Sequence, residues 1–255
     1  ARLTLASGFM QFVFLIDDQY DTDTVRAKDI DWIHALFQRS LAVLSGNAAP
    51  QLTDPFERFT NDLRRGLIEA STPEWMAAFL AHVHDELMLG ALPLLTYQAH
   101  GDVLSPDEYL YLRELDMGAY PCIDCIEIAG GFTLPPDVRE HPLLRKLARH
   151  VVRHVICVND LCSYENEVLR HGLTNNLVFT IQHERRASFE TAMEAVVRLA
   201  NSEAEAFLAT QRDLSSAFAR HLTKDITAYA TGMARFMRGN YDFAISSPRY
   251  RESTE

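Results

Sequence analysis

"VVRHVICVNDLCSYENEV", residues 151–168, decides the fold. Its first eight residues form a strand-like apolar run. No turn signal separates that run from residues 159–168, and it passes directly into a helical pattern, so the whole reads as one buried helix. Asn159, Ser163 and Glu167 then recur at intervals of four. On a helix each such step drifts by about 40°, so the three side chains stay within one stripe that rises about 12 Å. An amide oxygen, a hydroxyl and a carboxylate aimed the same way form an all-oxygen set, suited to a hard cation such as Mg²⁺. A solvated helix face has the same period, so the stripe alone leaves both readings open.

A second acidic feature lies far upstream. "FLIDDQYDTD", residues 14–23, places Asp17, Asp18, Asp21 and Asp23 directly after an apolar run. Like charges at i,i+4 spacing, as in Asp17 and Asp21, destabilise a helix by a few tenths of a kcal/mol. Something positive offsets that repulsion, or the segment is a solvated helix end. A calcium loop of the EF-hand type is excluded, because no start places glycine sixth and glutamate twelfth. Magnesium held by one or two carboxylates together with substrate phosphates fits these residue types better.

The rest of the chain frames these two stripes. At 255 residues it is long enough for a sizeable core, and 47% apolar with 23% charged residues is a globular composition. A formal net charge of −11 argues against non-specific nucleic-acid binding. No apolar run approaches the roughly 20 residues that span a bilayer, and the opening lacks the features of a signal peptide. The four cysteines, Cys122, Cys125, Cys157 and Cys162, read as buried free thiols of a cytoplasmic protein. Turn signals at 45–50, 99–106, 130–137 and 170–176 separate segments of helical length, with no repeat and no linker. One all-α domain over residues 1–255 is expected.

One boundary is sharply marked. "SPDE" supplies Ser105 as N-cap, Pro106 at the first helical position and Glu108 as partner in a capping box. The helix it starts should end near Gly118, with Arg113 and Asp116 at i,i+3 close to its C-terminal end. Taken alone, that pair reads as a surface contact complementing the helix dipole.

Together and in this order, D-D-x-x-D (residues 17–21) and N-D-x-x-S-x-x-x-E (159–167) resemble the motifs of the class I terpene synthases of the bacterial type. The likeness extends over nearly the whole chain. It implies an α-helical barrel or bundle of the class I terpenoid synthase fold, with the family's first N-terminal helices missing from this chain. It also implies three Mg²⁺ ions gripping the diphosphate of a linear isoprenoid. The resemblance assigns Asp17 as the first direct ligand, Asp18 and Asp21 as supporting groups, and Asn159, Ser163 and Glu167 as the single-ion site. "RELDMGA" resembles the family's diphosphate sensor, with Arg113 as sensor, Asp116 as linker and the Met117–Gly118 backbone as the effector carbonyl region. Arg249 and Tyr250 match its C-terminal Arg-Tyr pair. Two positions depart from the pattern: Asn166 stands where many relatives have lysine, and Phe243 where tryptophan is common.

The implied activity is ionisation of geranylgeranyl or farnesyl diphosphate and cyclisation of the resulting cation. Diphosphate leaves easily only if cations meet its developing charge, and arginine forks suit its oxygens. Met10, Val13 and Phe14 share a helix face with Asp17, so Phe14 and then Phe243 are candidates for an aromatic cavity wall. Val13 in place of an aromatic would widen the pocket toward the C20 substrate. A homodimer is common in this family. The rival readings are a chain-elongating prenyl diphosphate synthase, which would carry two D-D-x-x-D motifs, and a non-catalytic helical scaffold.

Overall fold

Every regular element is a helix among the residues described by the computed structural model, 2–21, 29–218 and 223–247. Arg249 and Tyr250, Asp23, and the side chain of Asp21 lie outside the described residues. In chain order the helices are α1 (Arg2–Asp21), α2 (Ile30–Ser45), α3 (Pro55–Ala70), α4 (Pro73–His84), α5 (Leu92–His100), α6 (Pro106–Asp116) and α7 (Ala119–Gly130). They continue as α8 (Pro136–Arg139), α9 (Pro142–Tyr164), α10 (Leu177–Arg185), α11 (Phe189–Ala217) and α12 (Thr223–Ser246). Two π-helical segments interrupt the series. Asp85–Ala91 joins α4 to α5, and Glu165–Arg170 extends α9.

Local chemistry sets most of the starts. Asp54, Thr72 and Ser105 each cap a helix whose next residue is proline, and Ser105 and Glu108 form the full reciprocal box. His141, Asn176 and Ser188 cap α9, α10 and α11 in the same way. Between α6 and α7 only Met117 and Gly118 intervene. Gly118 has φ +64°, a left-handed conformation that a side chain would strain, and this lets the chain turn within two residues.

Two apolar clusters hold the helices together. In one, Phe9, Phe12 and Ile16 of α1 meet Phe37, Leu67, Trp75 and Phe79. Phe79 stands edge-on to Phe9 at 4.9 Å and stacks on Trp75 at 5.0 Å. The other surrounds α9, whose Val151, Val152, Val155 and Ile156 are all buried against α10, α11 and α12. The strand-like run is therefore the buried spine of a helix. Helix α7 stitches the clusters, giving Ile123 to one and Cys125 and Ile128 to the other.

The continuous helix Pro73–His100 corrects one expectation. It is long and apolar enough to cross a membrane, with a mean hydropathy of 1.2 in its most apolar window, yet 44% of that window is buried inside the protein. Its hydropathy comes from core positions such as Phe79, Val83 and Leu94. The four thiols are free, as expected, but only Cys125 and Cys157 are fully buried; Cys122 and Cys162 are half-buried.

Candidate active site

The site is built where α6 ends against α9. Tyr109 and Arg113 lie one turn apart on α6, and both reach residues of the 159–167 stretch. The Tyr109 hydroxyl donates to Asp160 Oδ2 at 2.8 Å. Arg113 Nη2 donates to Asn159 Oδ1 at 3.0 Å and lies 3.7 Å from Asp160 Oδ1, while Nη1 pairs closely with Asp116. The Arg113 side chain is only 18% exposed. This corrects the surface-pair reading, because the arginine points inward and joins two helices. Its i,i+3 partner Asp116 orients it rather than merely complementing a helix end.

Asp160 is fully buried, and no local pattern in the sequence assigns it a role. Besides Tyr109 it accepts the Leu177 N–H at 2.7 Å, so it also fastens the first turn of α10. Burial pushes its carboxyl up to about 7, against the opposing pull of Arg113. Asn176 is a second residue that motif spacing misses. Its amide donates to the Asp160 carbonyl at 2.9 Å and to Glu167 Oε2 at 3.2 Å, while its own oxygen caps α10. The "TNN" turn signal hints at a cap, but nothing local announces that its amide reaches Glu167.

Ser163 Oγ donates to Glu167 Oε2 at 2.7 Å, so two members of the stripe converge. They do so across a change of helix type, since Glu167 sits in the π-helical segment Glu165–Arg170. A straight α-helix was expected there. In the observed exit the Glu167 carbonyl takes the Leu173 N–H at 2.9 Å and His171 hydrogen-bonds the Asn166 carbonyl at 2.7 Å. Such π-helical turns are frequent at functional sites. The hydroxyl, carboxylate and amide oxygens are hard donors on one short stretch, which fits a divalent cation. Among the described residues no group of three or more His, Cys, Asp or Glu has metal-binding geometry, and the stripe contains only one residue of those types.

The aspartate end of α1 approaches the same region through the α6–α7 turn. A Cβ built on Gly118 would come within 2.7 Å of Glu86 Oε1 and 3.4 Å of Val13 Cγ1. Val13 thus lies beside the turn that follows Arg113. Asp17 is half-buried and Asp18 exposed. Burial raises the Glu86 carboxyl well above the usual range, and the charges of Asp116 and Asp17 add to this. Phe14 and Phe243 come together, with ring centroids 5.8 Å apart, and Phe243 remains 41% exposed. A cavity of about 340 Å³ lies elsewhere, lined by residues of α9, α11 and α12 such as His154, Phe207 and Met237. It includes none of the candidate residues.

Residues 8–206 match the family described as "Terpene synthase family 2, C-terminal metal binding". Germacrene A synthase of Nostoc punctiforme is 28% identical over 249 residues, spanning 98% of this chain and 76% of the relative. A (+)-T-muurolol synthase of Roseiflexus castenholzii, described as (2E,6E)-farnesyl diphosphate cyclizing, is 29% identical over 250 residues, or 97% and 75% of the two chains. The crystal structure of germacradien-4-ol synthase from Streptomyces citricolor superposes with a TM-score of 0.82 at 26% identity, covering 95% of this chain and 78% of that one.

Proposed function

The chain belongs to terpene synthase family 2 and is a terpene cyclase acting on an isoprenyl diphosphate, and from that premise we propose that it ionises and cyclises farnesyl diphosphate with Mg²⁺ as its metal. The observation that carries this reading is the hydrogen bond from Arg113 to Asn159, which joins a sensor-type arginine to the first residue of the N-S-E stripe.

Asn159, Ser163 and Glu167 would hold one ion, and Asp17, with Asp18 and Asp21 in support, would hold others. A metal held by these residues would supply positive charge to offset the negative charge developing on the diphosphate as it leaves with the electron pair of the broken carbon–oxygen bond. The protein's own residues act around that event. Arg113 presents fork-shaped donors to phosphate oxygens, and Asp116 keeps the guanidinium in orientation. Asp160, braced by Tyr109 and the Leu177 N–H, holds α6, α9 and α10 in register behind it. By the family resemblance, the Met117–Gly118 carbonyl region would face the nascent allylic cation, and Arg249 and Tyr250 would be further diphosphate contacts. Phe14 and Phe243, whose rings meet, would give that cation aromatic faces. Loss of a proton from the final cation gives the neutral terpene.

The C15 substrate is favoured over C20 by the named relatives, one of which is described as cyclising farnesyl diphosphate. The test is separate incubation with geranyl, farnesyl and geranylgeranyl diphosphates, with Mg²⁺ or with EDTA, followed by gas chromatography–mass spectrometry. A cyclic C15 hydrocarbon, absent with EDTA, is expected. A cyclic product from geranylgeranyl diphosphate alone would replace the C15 assignment with C20.

A further inference from the structure

Resting on the reading that the Arg113–Gly118 turn faces the diphosphate, we infer that Glu86 is a positioning residue, whose carboxyl group sets the Asp116–Gly118 backbone at a fixed height against the aspartate end of α1. Three observations converge. Glu86 is 4% exposed, and its Oε2 is buried with no hydrogen-bond partner among the described residues. Buried polar atoms are nearly always paired, so one left without a partner stands out. Its Oε1 lies so close to Gly118 that a methyl group there would meet it at 2.7 Å and would touch Val13 of α1 at 3.4 Å.

The third observation is on the same segment. A Cβ on Gly90 would meet the Asp116 nitrogen at 2.3 Å and its Cα at 2.7 Å. Gly90 therefore lets backbone touch backbone at one end of the turn, while Glu86 abuts the other. Both sit in the π-helical stretch Asp85–Ala91, whose widened turn displaces these positions from where a regular α-helix would carry them. Asp116 and Gly118 are thereby both seated against the Asp85–Ala91 segment. The spacing between Asp17 and the Arg113 turn then depends on the length of one side chain.

The test compares wild type with Glu86→Asp, Glu86→Gln, Gly118→Ala and the double variant Glu86→Ala/Gly118→Ala, as full-length chains. Turnover of farnesyl diphosphate gives kcat, KM and product ratio, and melting temperature is measured in EDTA. Glu86→Asp withdraws the carboxyl by about 1.5 Å, one carbon–carbon bond. It should lower kcat at least tenfold, leave KM within threefold and raise the share of acyclic products. Glu86→Gln, which keeps the shape, should rescue most of that loss. In EDTA the double variant should melt above Gly118→Ala, because truncating Glu86 frees the space that the new methyl needs. Wild-type kcat and product ratio in Glu86→Asp, or a double variant melting no higher than Gly118→Ala, overturns the inference. Failure of the wild type to turn over the substrate would count against the functional reading instead, and the melting comparison would still decide the contact.

Discussion

Arg113 donates to Asn159 and pairs with Asp116, so a single guanidinium links the α6–α7 turn to the proposed ion site. A lysine there keeps the charge but loses the planar fork. Arg113→Lys should therefore cost one to two charge-assisted hydrogen bonds, each worth about 1.5–3 kcal/mol, and slow diphosphate release from farnesyl diphosphate at least tenfold. Release at the wild-type rate would remove Arg113 from the mechanism. Among single residues, Asn159, Ser163 and Glu167 stood out because a fixed spacing of oxygen donors is a property of the sequence itself, whereas Arg113 read alone as a surface pair and drew notice only through the family resemblance of its segment. Asp160, Asn176 and Glu86 did not stand out, even though Asp160 lies inside the quoted motif. Their importance comes from burial against other helices, which no local pattern encodes.

Helix starts were written plainly in the chain, and the box at Ser105 and Glu108 sets the register of the helix that carries Arg113. Ser105→Ala should cost about 1 kcal/mol, lowering the melting temperature by about 2–4 °C for a chain of this size. An unchanged melting temperature would mean that packing alone fixes α6. Between α4 and α7, His82 Nδ1 lies 2.7 Å from Asp124 Oδ2. Burial works against the charged ring, but the hydrogen bond to Asp124 and its charge outweigh this and raise the histidine above its ordinary value. A raised histidine stabilises the fold below its unfolded pKa, and this contribution is lost as pH rises through the raised value. His82→Gln should thus lower the melting temperature more at pH 6 than at pH 9, whereas an equal deficit at both would show that the charge contributes nothing. The two π-helical segments were invisible in the sequence, because one extra residue in a turn barely disturbs a helical period. They are also where Glu86 and Glu167 sit.

For the molecule as a whole, the all-α class came from period and turn signals, whereas the division of the core into two clusters joined by α7 did not. That joint has a polar anchor. Glu127 of α7 accepts from Arg139 Nε at 2.8 Å and from the Leu134 N–H at 2.6 Å, with both side chains almost wholly buried. Removing one member of such a pair leaves the other charge uncompensated. Glu127→Ala should cost about 3–5 kcal/mol in denaturant unfolding, and a loss below about 1 kcal/mol would mean that water reaches Arg139. The proposed activity requires that the end of α6 and the 159–167 stretch act as one diphosphate-handling site. Diphosphate release from farnesyl diphosphate, measured with Mg²⁺ for wild type and Asn159→Ala side by side, decides whether they do. Rapid release by the wild type, abolished by EDTA, is expected, with release at least a hundredfold slower in the variant. Equal rates from the two proteins, or no release from the wild type, would contradict a shared site.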